Sequence, residues 1–227
     1  MPTPLVIFDL DGTLLDTAPD LMASLNHTID AIGLEPVAYE DVTFLVGAGA
    51  RAMIDRALKL RDTTLSTAEK EQLFERFLDH YGGSMPGETL PYPGLLDAMD
   101  RLEAAGISMA ICTNKVEALA KRLLTLLGLS HRFAAITGGD TFAVRKPHGD
   151  HLHGTIKQAV GHPHMTVMVG DSTRDIEAAR NAGVPSIAVP FGYSDVAVET
   201  LRPDRIIRHY TELTPELVRD LFARTGT

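Results

Sequence analysis

Cysteine is nearly missing from this sequence, and tryptophan wholly so. Cys112 is the single cysteine in 227 residues, which excludes an internal disulfide and points to a reducing, cytoplasmic setting. No apolar run approaches the roughly 20 residues that a bilayer span requires. The N-terminus lacks a basic stretch leading into a long apolar core, so no secretory signal is expected. Positive charge is scarce: 21 Lys and Arg stand against 30 Asp and Glu, a formal charge of −9. That balance argues against nucleic acid and anionic membranes as partners, since both bind basic surfaces. A small anionic ligand stays compatible if a metal ion and a few local cations reverse the field in one cleft. Repeats and low-complexity tracts are missing too. At 44% apolar and 22% charged residues, the composition suits a globular protein with one substantial core and a smaller one.

What is present starts with the apolar run Leu5-Val6-Ile7-Phe8, which leads into Asp9-Leu10-Asp11-Gly12-Thr13. The run reads as a short buried strand, and Gly12 lets the chain turn sharply after it. Helical spacing follows, with Ala18, Leu21, Met22, Leu25, Ile29 and Ile32 on one face and Gly33 as the stop. A second helix uses Met53, Ile54, Ala57 and Leu58. A third follows Ser66, whose pairing with Glu69 predicts a capping box. No strand pattern interrupts residues 16–83. Beyond the turn-rich residues 82–94, helices (95–105, 117–127, within 150–160, 173–181 and from 214) alternate with strands (107–112, 133–137, 166–169, 186–189 and a short edge at 204–207). This pattern predicts an α/β fold, a doubly wound parallel sheet covered on both faces. Residues 1–15 and 84–227 form its core domain, and residues 16–83 are inserted as a small α-helical domain.

Polar residues recur at the C-terminal ends of these strands, where open α/β sheets bind ligands. They are Asp9 and Asp11, then Thr113-Asn114, then Arg145-Lys146-Pro147 after Gly138-Gly139-Asp140, then Gly170-Asp171-Ser172 with Asp175. Two carboxylates one residue apart repel and lose hydration, so a fold keeps them with a compensating cation or for chemistry. Asp9, Asp171 and Asp175 offer the hard oxygen ligands that Mg²⁺ prefers. Thr113 and nearby amides suit phosphate oxygens, and Lys146 supplies a fixed positive charge. Phosphoryl transfer needs in-line positioning, charge neutralisation and a nucleophile, and each has a candidate here.

These motifs, in this order, resemble the motif set of the haloacid dehalogenase superfamily in its phosphatase branch, across nearly the whole chain. The resemblance implies a Rossmann-like core with a small helical cap. It implies Asp9 as nucleophile, Asp11 as general acid and base, and Thr113, Asn114 and Lys146 as phosphate-site residues. It also implies Mg²⁺ held by the Asp9 side chain, the Asp11 main-chain carbonyl and Asp171, with Asp175 acting directly or through water. Asp16-Thr17-Ala18-Pro19-Asp20, Val46-Gly47-Ala48-Gly49-Ala50, Thr113-Asn114-Lys115, Gly138-Gly139-Asp140-Thr141 and Phe191-Gly192-Tyr193 resemble the bacterial phosphoglycolate phosphatases of that family. The chain departs from their pattern at Gly149, where a second proline is usual and only loop stiffness should change. It departs again at Ala48, where Asn is common, in the region expected to set specificity.

The implied activity is hydrolysis of a small anionic phosphate ester, 2-phosphoglycolate first. Sugar-phosphate or nucleotide hydrolysis and phosphosugar mutation are alternatives within the family, and a phosphoacceptor signalling module is the rival from another class. Monomer and homodimer are both compatible. Arg51, after the glycine-rich 47–50 segment, is a candidate to pair with a substrate carboxylate, and the bland reading is a solvated helix arginine. His27 and Lys115 are candidates for the cleft rim. Cys112 reads as packed core. His148, His151 and His153 read as a solvated surface rather than a zinc site.

Overall fold

A computed structural model describes residues 3–194 and 196–225. The elements run β1 (Thr3–Phe8), β2 (Leu15–Asp16), α1 (Ala18–Asp30), α2 (Tyr39–Val42), α3 (Ala50–Leu60), α4 (Thr67–Ser84), β3 (Leu90–Pro91), α5 (Leu95–Ala104) and β4 (Ser108–Cys112). They continue with α6 (Glu117–Leu126), β5 (Ala135–Thr137), α7 (Gly149–Gln158), β6 (Gly161–Gly170), α8 (Thr173–Ala182), β7 (Ser186–Ala188), β8 (Arg205–Ile206) and α9 (Pro215–Thr225). Six strands make one parallel sheet in the order β5-β4-β1-β6-β7-β8, as the alternating pattern predicts.

Alternation along β1 explains how both faces of the sheet are used. Val6 and Phe8 pack into one cluster with Ile111, Val167 and Val169, beneath α5, α6 and α9. Leu5 and Ile7 face the other way, with Met168 and Cys112 against Leu152, Ile156 and Ala178 of α7 and α8. Leu5, Val6, Ile7 and Phe8 are all fully buried, which is why the run is apolar without a polar alternate. Cys112 is a packed core residue, and burial pushes its thiol up to about 11.

Helices α1, α3 and α4 lie between β2 and β3, an antiparallel pair that joins Leu15 to Pro91 and Asp16 to Leu90. The Ser66–Glu69 capping box opens α4. Asp20 of α1 accepts from the amides of Glu88 (2.8 Å) and Thr89 (3.0 Å) and from the Thr89 hydroxyl (2.6 Å). The chain entering the helices is therefore tied to the chain leaving them.

Several details differ from the periodicity. Helix α1 stops at Asp30, so Ile32 is exposed rather than on its apolar face. Strand β6 begins at Gly161, ahead of the predicted 166–169 strand. Its first half carries His162 and His164 and no apolar pattern, and pairs through backbone across a register shift. The four-residue α2, the 3-10 segment Thr43–Ala48 and the two-residue strands β2 and β3 are too short to give a period.

Candidate active site

The sheet delivers Asp9, Thr113 and Asp171 to one edge, each just beyond the C-terminal end of its strand. The Asp9 amide still donates to Val169 O at 2.9 Å, so the nucleophile candidate stands on the last rung of the β1–β6 ladder. Its Oδ1 accepts from the Leu10 amide at 2.7 Å and lies 2.8 Å from Lys146 Nζ. Oδ2 accepts no hydrogen bond among the described residues. Lys146 also donates to Asp175 Oδ1 at 2.6 Å, while Asp175 Oδ2 accepts from the amide (3.0 Å) and hydroxyl (2.7 Å) of Ser172. Asp175 thus completes the capping box that opens α8 and anchors Lys146 at once. A Cβ on Gly170 would lie 2.2 Å from that of Asp175, so only glycine permits this approach.

Asp171 is held from the opposite side. Thr13 Oγ1 donates to its Oδ1 at 2.8 Å, and the Tyr193 amide donates to its Oδ2 at 2.7 Å. Gly12 sits at φ +82° with no room for a side chain beside Asp171. Burial, then the Asp175 charge, pushes the Asp9 carboxyl up to about 7 against the pull of Lys146. Burial, then Asp175 and Asp9, raises Asp171 well above the carboxylate range.

The Asp11 carboxylate, only two residues on, turns elsewhere. Its Oδ1 accepts from Thr17 Oγ1 at 2.6 Å and Lys115 Nζ at 2.7 Å, and its Oδ2 lies 3.0 Å from the same ammonium. Lys115 is buried, with its Nζ 4.5 Å from the centre of the Tyr81 ring. Burial pulls the Lys115 pKa down, but Asp11 more than reverses this and the net shift is upward. The Lys115 amide donates to Thr113 Oγ1 at 3.1 Å. Asn114 Nδ2 donates to Lys146 O (3.1 Å) and to Gly47 O (3.3 Å), which docks the helical segment onto this edge.

A divalent cation suits these groups. One oxygen each from Asp9, Asp171 and Asp175 lie within 4.8 Å of one another. Four carboxylates at this edge are buried (Asp9, Asp11, Asp171, Asp175) against two ammonium groups (Lys115, Lys146), a deficit of two positive charges. Such a deficit in a dry site is costly unless a cation fills it. The side chain of Asp11 is outside the carboxylate triad, so any ligand it offers is its main-chain carbonyl.

Beside Asp11 a cavity of about 360 Å³ opens between the helical segment and the core loops. Leu21, Phe74, Phe77 and Tyr81 make much of its wall, and Asp11, Asn114 and Lys115 form its polar end. Arg51 lines it too, but its guanidinium forks onto Glu71 at 2.6 and 2.7 Å and lies 3.7 Å over the Phe74 ring. His27 is away from this cleft, on the exposed side of α1, stacked on His80 with ring centres 4.0 Å apart.

Two expectations need correction. His151 is fully buried rather than solvated, and its Nδ1 accepts from the Lys146 amide at 3.1 Å, fixing the lysine loop from beneath. Burial, then the Lys146 charge, holds its pKa down at about 4. Gly149 does more than loosen a loop. A Cβ there would meet the backbone of Asn181 at 2.7 Å, so the start of α7 packs against the end of α8 more closely than any side chain allows. Thr13, Thr17 and Tyr193 stand within the motifs but carry no assigned role there, and Tyr81 lies in none of them. Thr13 and Thr17 lie within reach of the first motif, whereas Tyr81 comes from a distant helix that spacing cannot connect to it.

The family model for haloacid dehalogenase-like hydrolases matches residues 6–189. A phosphoglycolate phosphatase of Agrobacterium fabrum (strain C58 / ATCC 33970) is 57% identical over 98% of this chain and 95% of its own. One from Mesorhizobium japonicum is 48% identical over the full length of both. The crystal structure of a predicted phosphoglycolate phosphatase from Haemophilus somnus 129PT superposes with a TM-score of 0.87, covering 93% of this chain and 96% of that one at 28% identity. The chain therefore belongs to the haloacid dehalogenase-like hydrolase family, as an enzyme resembling its phosphoglycolate phosphatases.

Proposed function

We propose that this protein is a Mg²⁺-dependent phosphomonoester hydrolase of the cytoplasm that converts 2-phosphoglycolate to glycolate and phosphate through an aspartyl-phosphate. The observation that carries this reading is the division of labour between neighbouring carboxylates. Asp9 presents a free Oδ2 beside Lys146, and Asp11 is held by Lys115 and Thr17 at the mouth of the cavity. The substrate assignment rests on the relatives that carry that name.

In the first step Asp9 Oδ2 attacks phosphorus in line, the P–O bond to the leaving group breaks, and Asp11, which takes up a proton as the substrate binds, delivers it to the departing alkoxide. Thr113, the loop amides and Lys146 hold the phosphoryl oxygens as charge builds on them. In the second step Asp11, now a carboxylate, takes a proton from the water that attacks the acyl-phosphate. Phosphate leaves and Asp9 is restored. Asp9, Asp171 and the Asp11 main-chain carbonyl would hold Mg²⁺, which neutralises charge on the phosphoryl group. Asp175 serves by fixing Lys146. Residues 16–83 act as a cap over the core formed by residues 1–15 and 84–227, excluding bulk water while the acyl-phosphate exists. Arg51, braced by Glu71, shapes the far side of the cavity.

The test is Mg²⁺-dependent phosphate release from 2-phosphoglycolate, sugar phosphates, a nucleotide monophosphate and p-nitrophenyl phosphate, with Asp9→Asn alongside. Preference for 2-phosphoglycolate that disappears in the variant supports the reading. Activity confined to sugar phosphates overturns the substrate, and activity that survives Asp9→Asn overturns the mechanism.

A further inference from the structure

A wall built mostly from Leu21, Val46, Met53, Phe74, Phe77 and Leu78 is an unexpected lining for the site of a small, highly charged ester. Only a few polar groups can read the leaving group there, and Asp140 is the one acid among them besides Asp11. Lys115 Nζ has three N–H donors. Two meet the Asp11 oxygens, and the ammonium sits against the face of Tyr81. The Tyr81 side chain lines the same cavity, and its hydroxyl is buried beside Lys115 and finds no acceptor for its proton among the described residues. An orphaned hydroxyl in a dry wall costs free energy that a ligand acceptor would recover. Arg145, exposed at the rim of the cavity, has no side-chain partner among the described residues and adds a second positive charge. Arg51, the other guanidinium on the wall, is already committed to both oxygens of Glu71.

We infer that Lys115 and Tyr81 form a carboxylate-recognition subsite that selects phosphate esters with an anionic tail on the leaving group. The position follows from the proposed chemistry, on which this inference rests. Asp11 must stand beside the ester oxygen to protonate it, and Lys115 Nζ lies immediately beyond Asp11. In 2-phosphoglycolate one methylene separates the ester oxygen from the carboxylate carbon, which brings the carboxylate to that ammonium. The third N–H of Lys115 and the Tyr81 O–H then donate to it. Because Tyr81 comes from α4 and Lys115 from the loop after β4, the subsite is complete only with the helical segment docked on the core. Residues elsewhere on the apolar wall exclude water around this pair, and a neutral tail leaves the Tyr81 hydroxyl unpaired.

The experiment compares 2-phosphoglycolate with its neutral amide isostere, carbamoylmethyl phosphate, in wild-type enzyme, Tyr81→Phe and Lys115→Gln. The readout is the ratio of kcat/KM for the acid to that for the amide, with KM and kcat reported separately. Wild-type enzyme should prefer the acid at least tenfold. Tyr81→Phe keeps the ring and should cut the preference at least fivefold, mainly through KM for the acid. Lys115→Gln also disturbs Asp11, so it slows both esters, yet the ratio should approach unity. Melting curves verify that each variant is folded, and Tyr81→Phe alone decides the matter if Lys115→Gln is not. A preference unchanged within twofold in folded Tyr81→Phe overturns the subsite while leaving the phosphatase reading intact. Failure of the wild-type enzyme to release phosphate from 2-phosphoglycolate overturns both.

Discussion

Replacing Lys146 by methionine isolates the electrostatics of Asp9, the proposed nucleophile. The ammonium is 1% exposed and joins Asp9 at 2.8 Å to Asp175 at 2.6 Å, whose side chains are 4% and 0% exposed. Methionine matches the length of the lysine stem but leaves two buried carboxylates without their counter-charge. Breaking a buried pair in this way costs about 3–5 kcal/mol. For a chain of this size each kcal/mol moves Tm by roughly 2–4 °C, so the drop should be about 6–20 °C. The loss should also depend on pH, with a definite sign. Lys146 has its pKa raised by its two partners despite burial, so its own contribution is present in full below the unfolded value and does not change between pH 5 and 8. Asp9, with a folded pKa of about 7 raised by burial and Asp175, opposes folding increasingly as pH rises from its unfolded value towards 7. Without Lys146, whose charge pulls it down, the Asp9 pKa rises further: protonation relieves the defect at pH 5.5, whereas at pH 8 either holding Asp9 ionised or protonating it against the higher pH costs more. Thermal denaturation in chelator at both pH values should show the larger gap from wild type at pH 8. A drop below about 2 °C at pH 8, or a larger gap at pH 5.5, would refute this account.

Gly149→Ala forces a methyl into the Asn181 backbone at 2.7 Å and should cost ~1–3 kcal/mol; an unchanged Tm would show that α7 and α8 can part freely. Asp20→Ala removes the acceptor of the Glu88 and Thr89 amides, at ~1–3 kcal/mol for each donor left buried and unpaired. Limited proteolysis should then cut within residues 84–90, and resistance equal to wild type would contradict the tie between the two connections. Stripping divalent cations should lower Tm more at pH 8 than at pH 5.5, because the raised Asp9 and Asp171 carboxyls take up protons as pH falls and need the cation less. An equal drop at both pH values would argue that the cation binds elsewhere.

Much of this was legible in the sequence because it depends on local signals. The β1 run, the Ser66–Glu69 box and the strand-end positions of Asp9, Thr113 and Asp171 are all written in consecutive residues. A parallel sheet converts those separate signals into one edge, so the convergence was predictable too. What stayed hidden depends on contacts between distant segments. His151 sits in a run of polar residues that reads as surface, yet its place beneath Lys146 makes it a buried acceptor. Gly149 looked like a flexible substitute for proline until α8 was seen against it. Arg51 follows a glycine-rich loop, as a substrate-binding arginine would, but Glu71 one helix away takes its guanidinium. Lys115 stood next to a recognisable motif, whereas Tyr81 lies in a helix whose apolar face gave no hint that one edge of it meets an ammonium.

Asp9 and Asp11 would point to the same side of a continuing strand, where a single lysine would serve both. The chain turns instead: Leu10 is buried, its carbonyl accepts from the Leu14 and Leu15 amides, and Gly12 takes the positive φ the turn requires. Asp9 therefore meets Lys146 and Asp11 meets Lys115, so each carboxylate has its own cation. A nucleophile must be free to lose its negative charge to phosphorus, while an acid–base group must gain and lose a proton beside the leaving group. A shared lysine would couple those two events. In the mechanism proposed above, separate lysines let the charge change at Asp9 be met by Lys146 and the proton changes at Asp11 by Lys115. The turn at Leu10–Gly12 is thus a chemical feature as much as a structural one, because it assigns adjacent carboxylates to different electrostatic neighbours.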